Sequence, residues 1–211
     1  MGESSAMIRR MVDIGVAILV LPLLSPLFVL ISVAIVVESP DSPFYRGWRV
    51  GKDAKRFRMW KFRTMVAGAD RLGSSITTRC DARITKVGWF LRRTKLDELP
   101  QFFNLFLGDL TLIGPRPEVP GIVEHFTPQL RQILRLKPGI TGPVQLYYTV
   151  LEADTIPDDK DAEQFYIERL LERKLRLDLE YSRTRTFLSD CRVVLQTMLL
   201  VARALAHAVY R

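Results

Sequence analysis

Ile14–Val37 reads IGVAILVLPLLSPLFVLISVAIVV, 24 residues without a charge. A helical span needs about 20 apolar residues, and a secretory signal has an apolar core of only about 7–15 with its cleavage site behind it. Here the small-residue stretch Ser32-Val33-Ala34 lies inside the run, so the segment reads as a retained membrane element. Pro22 and Ser25-Pro26 fall near its middle. Neither proline can donate to the carbonyl four residues earlier, so Ile18 and Pro22 each lose a helical partner there. The Ser25 hydroxyl reaches back, by this reading to Leu21. Arg9 and Arg10 precede the run; Arg46, Arg49, Lys52, Lys55 and Arg56 follow it. Basic residues favour the cytoplasmic side, and both ends ask for it. One spanning helix and a re-entrant helix-break-helix both stay open at this point. Asp13 is expected to pair with Arg9 or Arg10, because an acid at the lipid boundary is costly alone.

The remainder of the 211 residues narrows the chemistry. Hydrophobic residues make up 48% and charged residues 26%, which excludes disorder. Cys80 and Cys191 stand far apart, and the only histidines are His125 and His207, so neither a Cys/His zinc site nor a disulfide framework is indicated. The net charge of +8 points to an anionic partner. It is concentrated between Ser42 and Lys95, with 15 bases against 3 acids, whereas Glu118–Glu163 holds 4 bases and 8 acids.

Behind the apolar run, the pattern predicts a hairpin of Phe44–Val50 and Lys55–Phe62 around Gly51-Lys52-Asp53-Ala54, with a bulge or a strand end where the alternation slips at Trp60-Lys61-Phe62. Gly68–Thr78 reads as an irregular loop. Helices are predicted over Asp81–Arg93, Asp97–Leu107, Pro120–Leu136, Gln164–Ser182 and Thr186–Tyr210. Two turn-rich loops, Gly114-Pro115-Arg116-Pro117 and Lys137–Gly142, interrupt them. The expected class is α+β, mainly α, in two parts: residues 1–40 as the membrane helix and 41–211 as the domain that follows it. The apolar helix around Leu99–Leu107 and the stretch Val193–Ala202, too short to cross a bilayer, read as core or as amphipathic helices lying in the interface.

No P-loop, dinucleotide, HExxH or GxSxG signature occurs. The informative run is Arg92-Arg93-Thr94-Lys95-Leu96-Asp97-Glu98-Leu99-Pro100-Gln101: two carboxylates at a helix start, just after three cations. The plain structural reading is a capping box with Thr94 as cap and acids favoured by the helix dipole. A chemical reading coexists with it. Nearby positive charge keeps a carboxylate ionised, and a fixed carboxylate can act as a nucleophile on phosphorus.

Lys61-Phe62-Arg63-Thr64-Met65, Leu96–Gln101, Gly114–Pro117 and Lys137–Gly142, together with Arg9-Arg10-x-x-Asp13 and Ser25-Pro26, resemble in order the bacterial sugar transferases. More narrowly, they are similar to the catalytic core of the monotopic phosphoglycosyl transferases. The resemblance implies transfer of a sugar-1-phosphate from a nucleoside diphosphate sugar, usually a UDP-sugar, to undecaprenyl phosphate, with release of UMP. It implies Asp97 as the nucleophile and Glu98 as the residue holding Mg²⁺. Arg116 would clamp phosphate, with Lys61, Arg63, Arg93 and Thr141 as further substrate-binding candidates. Ser25 and Pro26 would mark the break of a re-entrant helix in the phospholipid bilayer, placing the enzyme on the cytoplasmic face of the bacterial inner membrane; the extra N-terminal spans and regulatory domain that many members of this family carry are not expected here. A homodimer is compatible with this. The acidic stretch 145–163 departs from a minimal core and leaves the sugar undecided. Two other readings compete. One is a membrane-tethered nucleic-acid-binding or scaffold protein, suggested by Phe44, Tyr45, Trp48, Trp60 and Phe62 among the cations; specific nucleic-acid binding is not expected. The other is a CDP-alcohol phosphotransferase, for which the D-x-x-D-G run is missing.

Overall fold

The computed structural model describes residues 3–69, 81–147 and 162–209. Helix α1 (Glu3–Glu38) takes in the whole apolar run and both prolines. Its contour is about 54 Å at 1.5 Å per residue. The Ser25 hydroxyl donates to the Pro22 carbonyl at 2.8 Å, not to Leu21 as the sequence suggested. It thereby serves the acceptor that Pro26, lacking an N–H, leaves orphaned.

One flank of α1 is covered. Phe28, Ile31 and Ile35 form a cluster with Phe62 and Leu91, joined by Leu21, Leu24, Leu99 and Phe103. The other flank is bare: Leu23 is 72% exposed and Val37 78%. Apolar surface on that scale calls for a nonaqueous neighbour.

Both ends of α1 are fastened to the same body. Near the start, Arg10 donates to the Leu105 and Phe106 carbonyls, each at 2.7 Å. Asp13, 3% exposed, accepts from the Thr111 hydroxyl (2.8 Å) and the Leu112 amide (2.9 Å). This corrects the expected pairing of Asp13 with Arg9 or Arg10: the carboxylate meets main-chain and hydroxyl donors, while Arg9 approaches Asp190 at 3.9 Å. At the far end, Glu38 accepts from the Lys86 and Val87 amides, both at 2.8 Å.

Strands β1 (Phe44–Val50) and β2 (Arg56–Phe62) form an antiparallel hairpin joined through a 3₁₀ turn at Lys52–Ala54. The pairing runs unbroken from Phe44↔Phe62 to Val50↔Arg56, so of the two expectations the strand end is found, at Phe62, and the bulge is not. The apparent phase slip has a different cause: both faces are covered there. Trp60 packs on Phe44 and Phe103, while Lys61 on the opposite face reaches the site below.

Helix α2 (Lys86–Thr94) is shorter than predicted because Thr85 caps it, accepting from Gly88. After α2, Lys95 adopts a left-handed conformation (φ 61°), a 3₁₀ turn covers Leu96–Glu98, and α3 (Gln101–Leu107) begins after Pro100. The predicted continuous helix from Asp97 is therefore two pieces. Thr94 is not its cap: it is fully buried and donates to the Phe90 and Leu91 carbonyls. Gly108, at φ 92°, ends α3 with Arg10 packed against it.

Strands β3 (Thr111–Ile113) and β4 (Gly139–Thr141) pair in parallel, so the second turn-rich loop contains a strand. A Cβ on Gly139 would lie 2.0 Å from the Gly114 nitrogen, which explains a glycine there. Between them, α4 (Pro120–Glu124) and a 3₁₀ segment (Leu130–Arg135) replace the predicted single helix. α5 (Ala162–Phe165) continues through a π-helical stretch (Tyr166–Leu171) into α6 (Glu172–Thr184). A core of Ile122, Val123, Phe126, Ile133, Leu171 and Leu175 joins these to the hairpin through Val50. The final helix α7 (Phe187–Val209) leaves Phe187, Leu195 and Met198 largely uncovered. Its stretch Phe187–Ala208 is long and apolar enough to cross a bilayer by length and composition, which the shorter window Val193–Ala202 did not suggest. In α3, Leu105 is core while Phe106 and Leu107 are exposed. Most of the loop 68–78 and of the acidic stretch 145–163 lies outside the described residues.

Candidate active site

The left-handed Lys95 turns the chain sharply between α2 and α3 and presents Asp97 and Glu98 from a single 3₁₀ turn. Asp97 is 7% exposed and, among the described residues, its carboxylate accepts no hydrogen bond. Its nearest cation is Lys61, at 3.9 Å. Glu98 is the opposite case. Lys61 Nζ donates to its Oε1 at 2.7 Å, and Arg116 offers its fork, Nη2 at 2.9 Å and Nη1 at 3.5 Å.

The two carboxyls titrate apart. Burial pushes Asp97 above the usual aspartate range against the pull of Lys61, and the neighbouring Glu98 adds to the rise. The sequence-based expectation that positive charge would lower it is thus reversed, because burial outweighs the cations. Burial acts on Glu98 too, but there Arg116 and Lys61 prevail and hold it well below the usual range. Burial draws Lys61 down, opposed by Glu98. Adjacent acids with divergent proton affinities are a recurrent property of catalytic sites.

Each partner owes its place to local structure. Lys61 ends β2, whose inward face carries Phe57 and Met59 against Leu110. Arg116 sits in a loop fixed by Gly114 N–H to the Thr141 carbonyl and Gly139 N–H to the Pro115 carbonyl, both at 2.9 Å. Arg92, anchored on the Thr64 hydroxyl at 2.8 Å, adds positive potential at both acids. Arg49, drawn below its ordinary value by burial, feels Arg116 and Glu98. Gln101, 1% exposed and one turn past Glu98, carries an amide Nε2 with no hydrogen-bond partner among the described residues.

The structure therefore brings together Asp97, Glu98, Lys61 and Arg116. The other candidates are engaged elsewhere. Arg63 is buried and binds the Ser39 carbonyl and hydroxyl and the Asp41 carbonyl, tying the exit of α1 to the end of β2. Arg93 lies over the Trp89 ring, 5.0 Å from its centroid. Thr141 is buried against α7, 2.7 Å from the Thr197 hydroxyl; Thr197 donates to the Val193 carbonyl, so Thr141 is the donor in this pair. Ser25 and Pro26 sit in α1. Sequence reasoning passed over Arg49 and Arg92. Arg49 shares its hairpin face with Lys61, a fact strand alternation could have given; nothing in the sequence separates Arg92 from Arg93.

For a divalent cation, the donor set is two hard carboxylate oxygen groups, with no cluster of three His, Cys, Asp or Glu among the described residues. That suits Mg²⁺, which takes one or two protein carboxylates and fills its remaining positions with water and substrate phosphate.

A profile of bacterial sugar transferases matches residues 4–204, and the chain belongs to that family. It is 36% identical over 199 residues to the UDP-glucose:undecaprenyl-phosphate glucose-1-phosphate transferase of Escherichia coli (strain K12), covering 91% of this chain and 39% of the relative. It is 40% identical over 148 residues to the UDP-N-acetylgalactosamine-undecaprenyl-phosphate N-acetylgalactosaminephosphotransferase of Aeromonas hydrophila, covering 68% and 34%. A glucose-1-phosphate transferase of Caulobacter vibrioides (strain ATCC 19089 / CIP 103742 / CB 15) matches at 30% identity, covering 90% and 68%. The chain thus spans well under half the length of the first two.

Proposed function

We propose that the protein is a phosphoglycosyl transferase that moves a sugar-1-phosphate from a UDP-sugar to undecaprenyl phosphate through an aspartyl-phosphosugar intermediate, as an early membrane step of surface-glycan synthesis. The observation that carries this reading is Asp97: a buried carboxylate that accepts no hydrogen bond among the described residues, beside a glutamate that is doubly ion-paired. The relatives' names supply the substrate classes.

In the first step an Asp97 oxygen attacks the phosphorus that bears the sugar. The bond from that phosphorus to the bridging oxygen breaks, and UMP leaves with the oxygen. In the second, a phosphate oxygen of undecaprenyl phosphate attacks the same phosphorus, the acyl-phosphate bond breaks, and Asp97 returns as a carboxylate. Division into two steps spares the two anionic substrates from meeting directly. Lys61 offsets the charge gathering near Asp97, and Arg116 is shaped to receive two phosphate oxygens. Glu98, with Asp97, would hold Mg²⁺, which when bound lowers the charge of the diphosphate.

A re-entrant α1 on the cytoplasmic face of the inner membrane is part of the proposal. It is supported by Arg10 and Glu38, near opposite ends of the helix, both binding the same folded body.

The test is incubation with Mg²⁺ and UDP-glucose or UDP-N-acetylgalactosamine without lipid acceptor. The expected result is protein carrying the sugar phosphate and an equal amount of UMP, both abolished in Asp97→Asn. Acceptor-dependent transfer that persists in Asp97→Asn overturns the reading.

A further inference from the structure

Arg46 and Trp48 of β1 and Arg56, Arg58 and Trp60 of β2 share one face of the hairpin. The opposite face is committed inward, with Met59 against Leu110 and Lys61 on Glu98. On the outward face arginine and tryptophan alternate across the ladder. Arg46, opposite Trp60, lies 4.8 Å from that ring's centroid; Arg58, opposite Trp48, lies 4.4 Å from that ring's. The face holds no acid. Arg46, Arg56 and Arg58 are exposed, and none forms an ion pair among the described residues. Trp48 leaves 48% of its surface uncovered beside them.

This strip continues into the apolar surface of the membrane helix. Trp60 packs on Phe103 at 5.6 Å, and Phe103 on Phe28 of α1 at 5.9 Å. One turn beyond Phe103, α3 leaves Phe106 and Leu107 exposed. The hairpin begins at Phe44, just past the end of α1 at Glu38, and Arg63 braces that junction through Ser39 and Asp41. With α1 in lipid, spanning or re-entrant, β1 starts at the headgroup level.

We propose that the outward face of the hairpin docks on anionic phospholipid headgroups, with Arg46 and Arg58 receiving lipid phosphate and the Trp48 indole lying among the headgroups. This goes beyond the transfer reaction and rests only on α1 lying in the membrane. Indole rings favour a boundary that is apolar on one side and wet on the other. A guanidinium presents a fork that matches phosphate oxygens. Each cation near an anionic bilayer surface improves partitioning about fivefold. Single-stranded nucleic acid is the poorer fit, because it stacks on successive open rings, and Trp60 is already packed by Phe44, Phe103 and Arg46.

The experiment uses the full chain in nanodiscs of phosphatidylcholine, with or without about one third phosphatidylglycerol, each doped with a lipid that carries a nitroxide on its headgroup. Quenching of Trp48 fluorescence is read as the difference between each protein and its Trp48→Phe counterpart. It should be at least threefold stronger in the anionic discs. It should fall to the neutral-disc level in the double variant Arg46→Gln, Arg58→Gln, and likewise at high salt, which screens exposed charge. Equal quenching in both kinds of disc, or quenching that ignores both substitutions, overturns the proposal. So does a Trp48 signal that responds to single-stranded DNA more strongly than to phosphatidylglycerol. Should the double variant not fold, the salt titration of the wild type decides, and quenching unchanged by salt overturns the proposal. Labelling from UDP-glucose or UDP-N-acetylgalactosamine is measured in the same discs. Its absence in the wild type strikes the reaction and leaves the surface standing; labelling without any lipid preference at Trp48 strikes the surface alone.

Discussion

Lys61 meets Glu98 at 2.7 Å and is thereby held 3.9 Å from Asp97. One ammonium near the end of a strand satisfies the glutamate and leaves Asp97 without a hydrogen bond among the described residues. Lys61→Met should push the Asp97 carboxyl higher still and remove the charge that offsets its attack. Loss of a preorganised electrostatic partner costs about 10²-fold or more in rate, so labelling of Asp97 by sugar phosphate should slow by that order while the protein stays folded. Labelling at the wild-type rate contradicts the assignment.

Because burial lifts Asp97, the rate of labelling should climb with pH to a point above the ordinary aspartate value of 3.8. Rapid-quench measurements across pH read this directly. A rate already constant from the ordinary aspartate value upward contradicts it.

Asp178 makes stability depend on pH. Its folded carboxyl binds a proton more tightly than the unfolded chain's, up to about 7 against 3.8. Between those values the folded state holds the extra proton, so stability falls as pH rises through that window and levels off above it. Asp178→Asn has nothing to titrate. The Tm difference between variant and wild type should shift in the variant's favour from pH 5 to pH 8.

Gln101 keeps a buried amide nitrogen without a hydrogen-bond partner among the described residues, at a cost of about 1–3 kcal/mol. Gln101→Met should therefore raise Tm. If the donor is kept for substrate, UMP release falls at least tenfold in the same variant; a variant both stabler and fully active would show that the amide has no part in the chemistry.

The topology has its own measurement. Cysteines placed at residues 3 and 54, in a background with Cys80 and Cys191 replaced, should react with an impermeant reagent from the same side of the membrane. Reaction from opposite sides would make α1 a span.

The sequence made some of this legible. Hydrophobic run length located α1, strand alternation located the hairpin, and adjacent acids before a proline marked the turn that holds the site. Other features were hidden by the same rules. Three-residue strands such as β3 and β4 are too short to show a period. Within the predicted helix Gln164–Ser182 nothing singled out Lys174 and Asp178, yet both are buried, because burial of charge depends on partners far away in the chain. The upward displacement of Asp97 was invisible for a like reason: charge can be counted along a sequence, whereas desolvation requires knowing what covers the group. Arg63 looks like another substrate cation by type and turns out to brace the junction between α1 and the hairpin.

The grip of α1 on the domain also bears on how the protein can be handled. Arg10 finishes the carboxyl end of α3 and Glu38 finishes the amino end of α2, so the two helices flanking the turn of Asp97 and Glu98 are each completed by the apolar segment. Cutting the chain after Glu38 to obtain a water-soluble fragment would bare Phe62, Leu91 and Phe103 and leave both helix ends frayed. The apolar helix and the folded body are one object, and purification strategies that separate them should yield aggregates in place of a smaller folded protein.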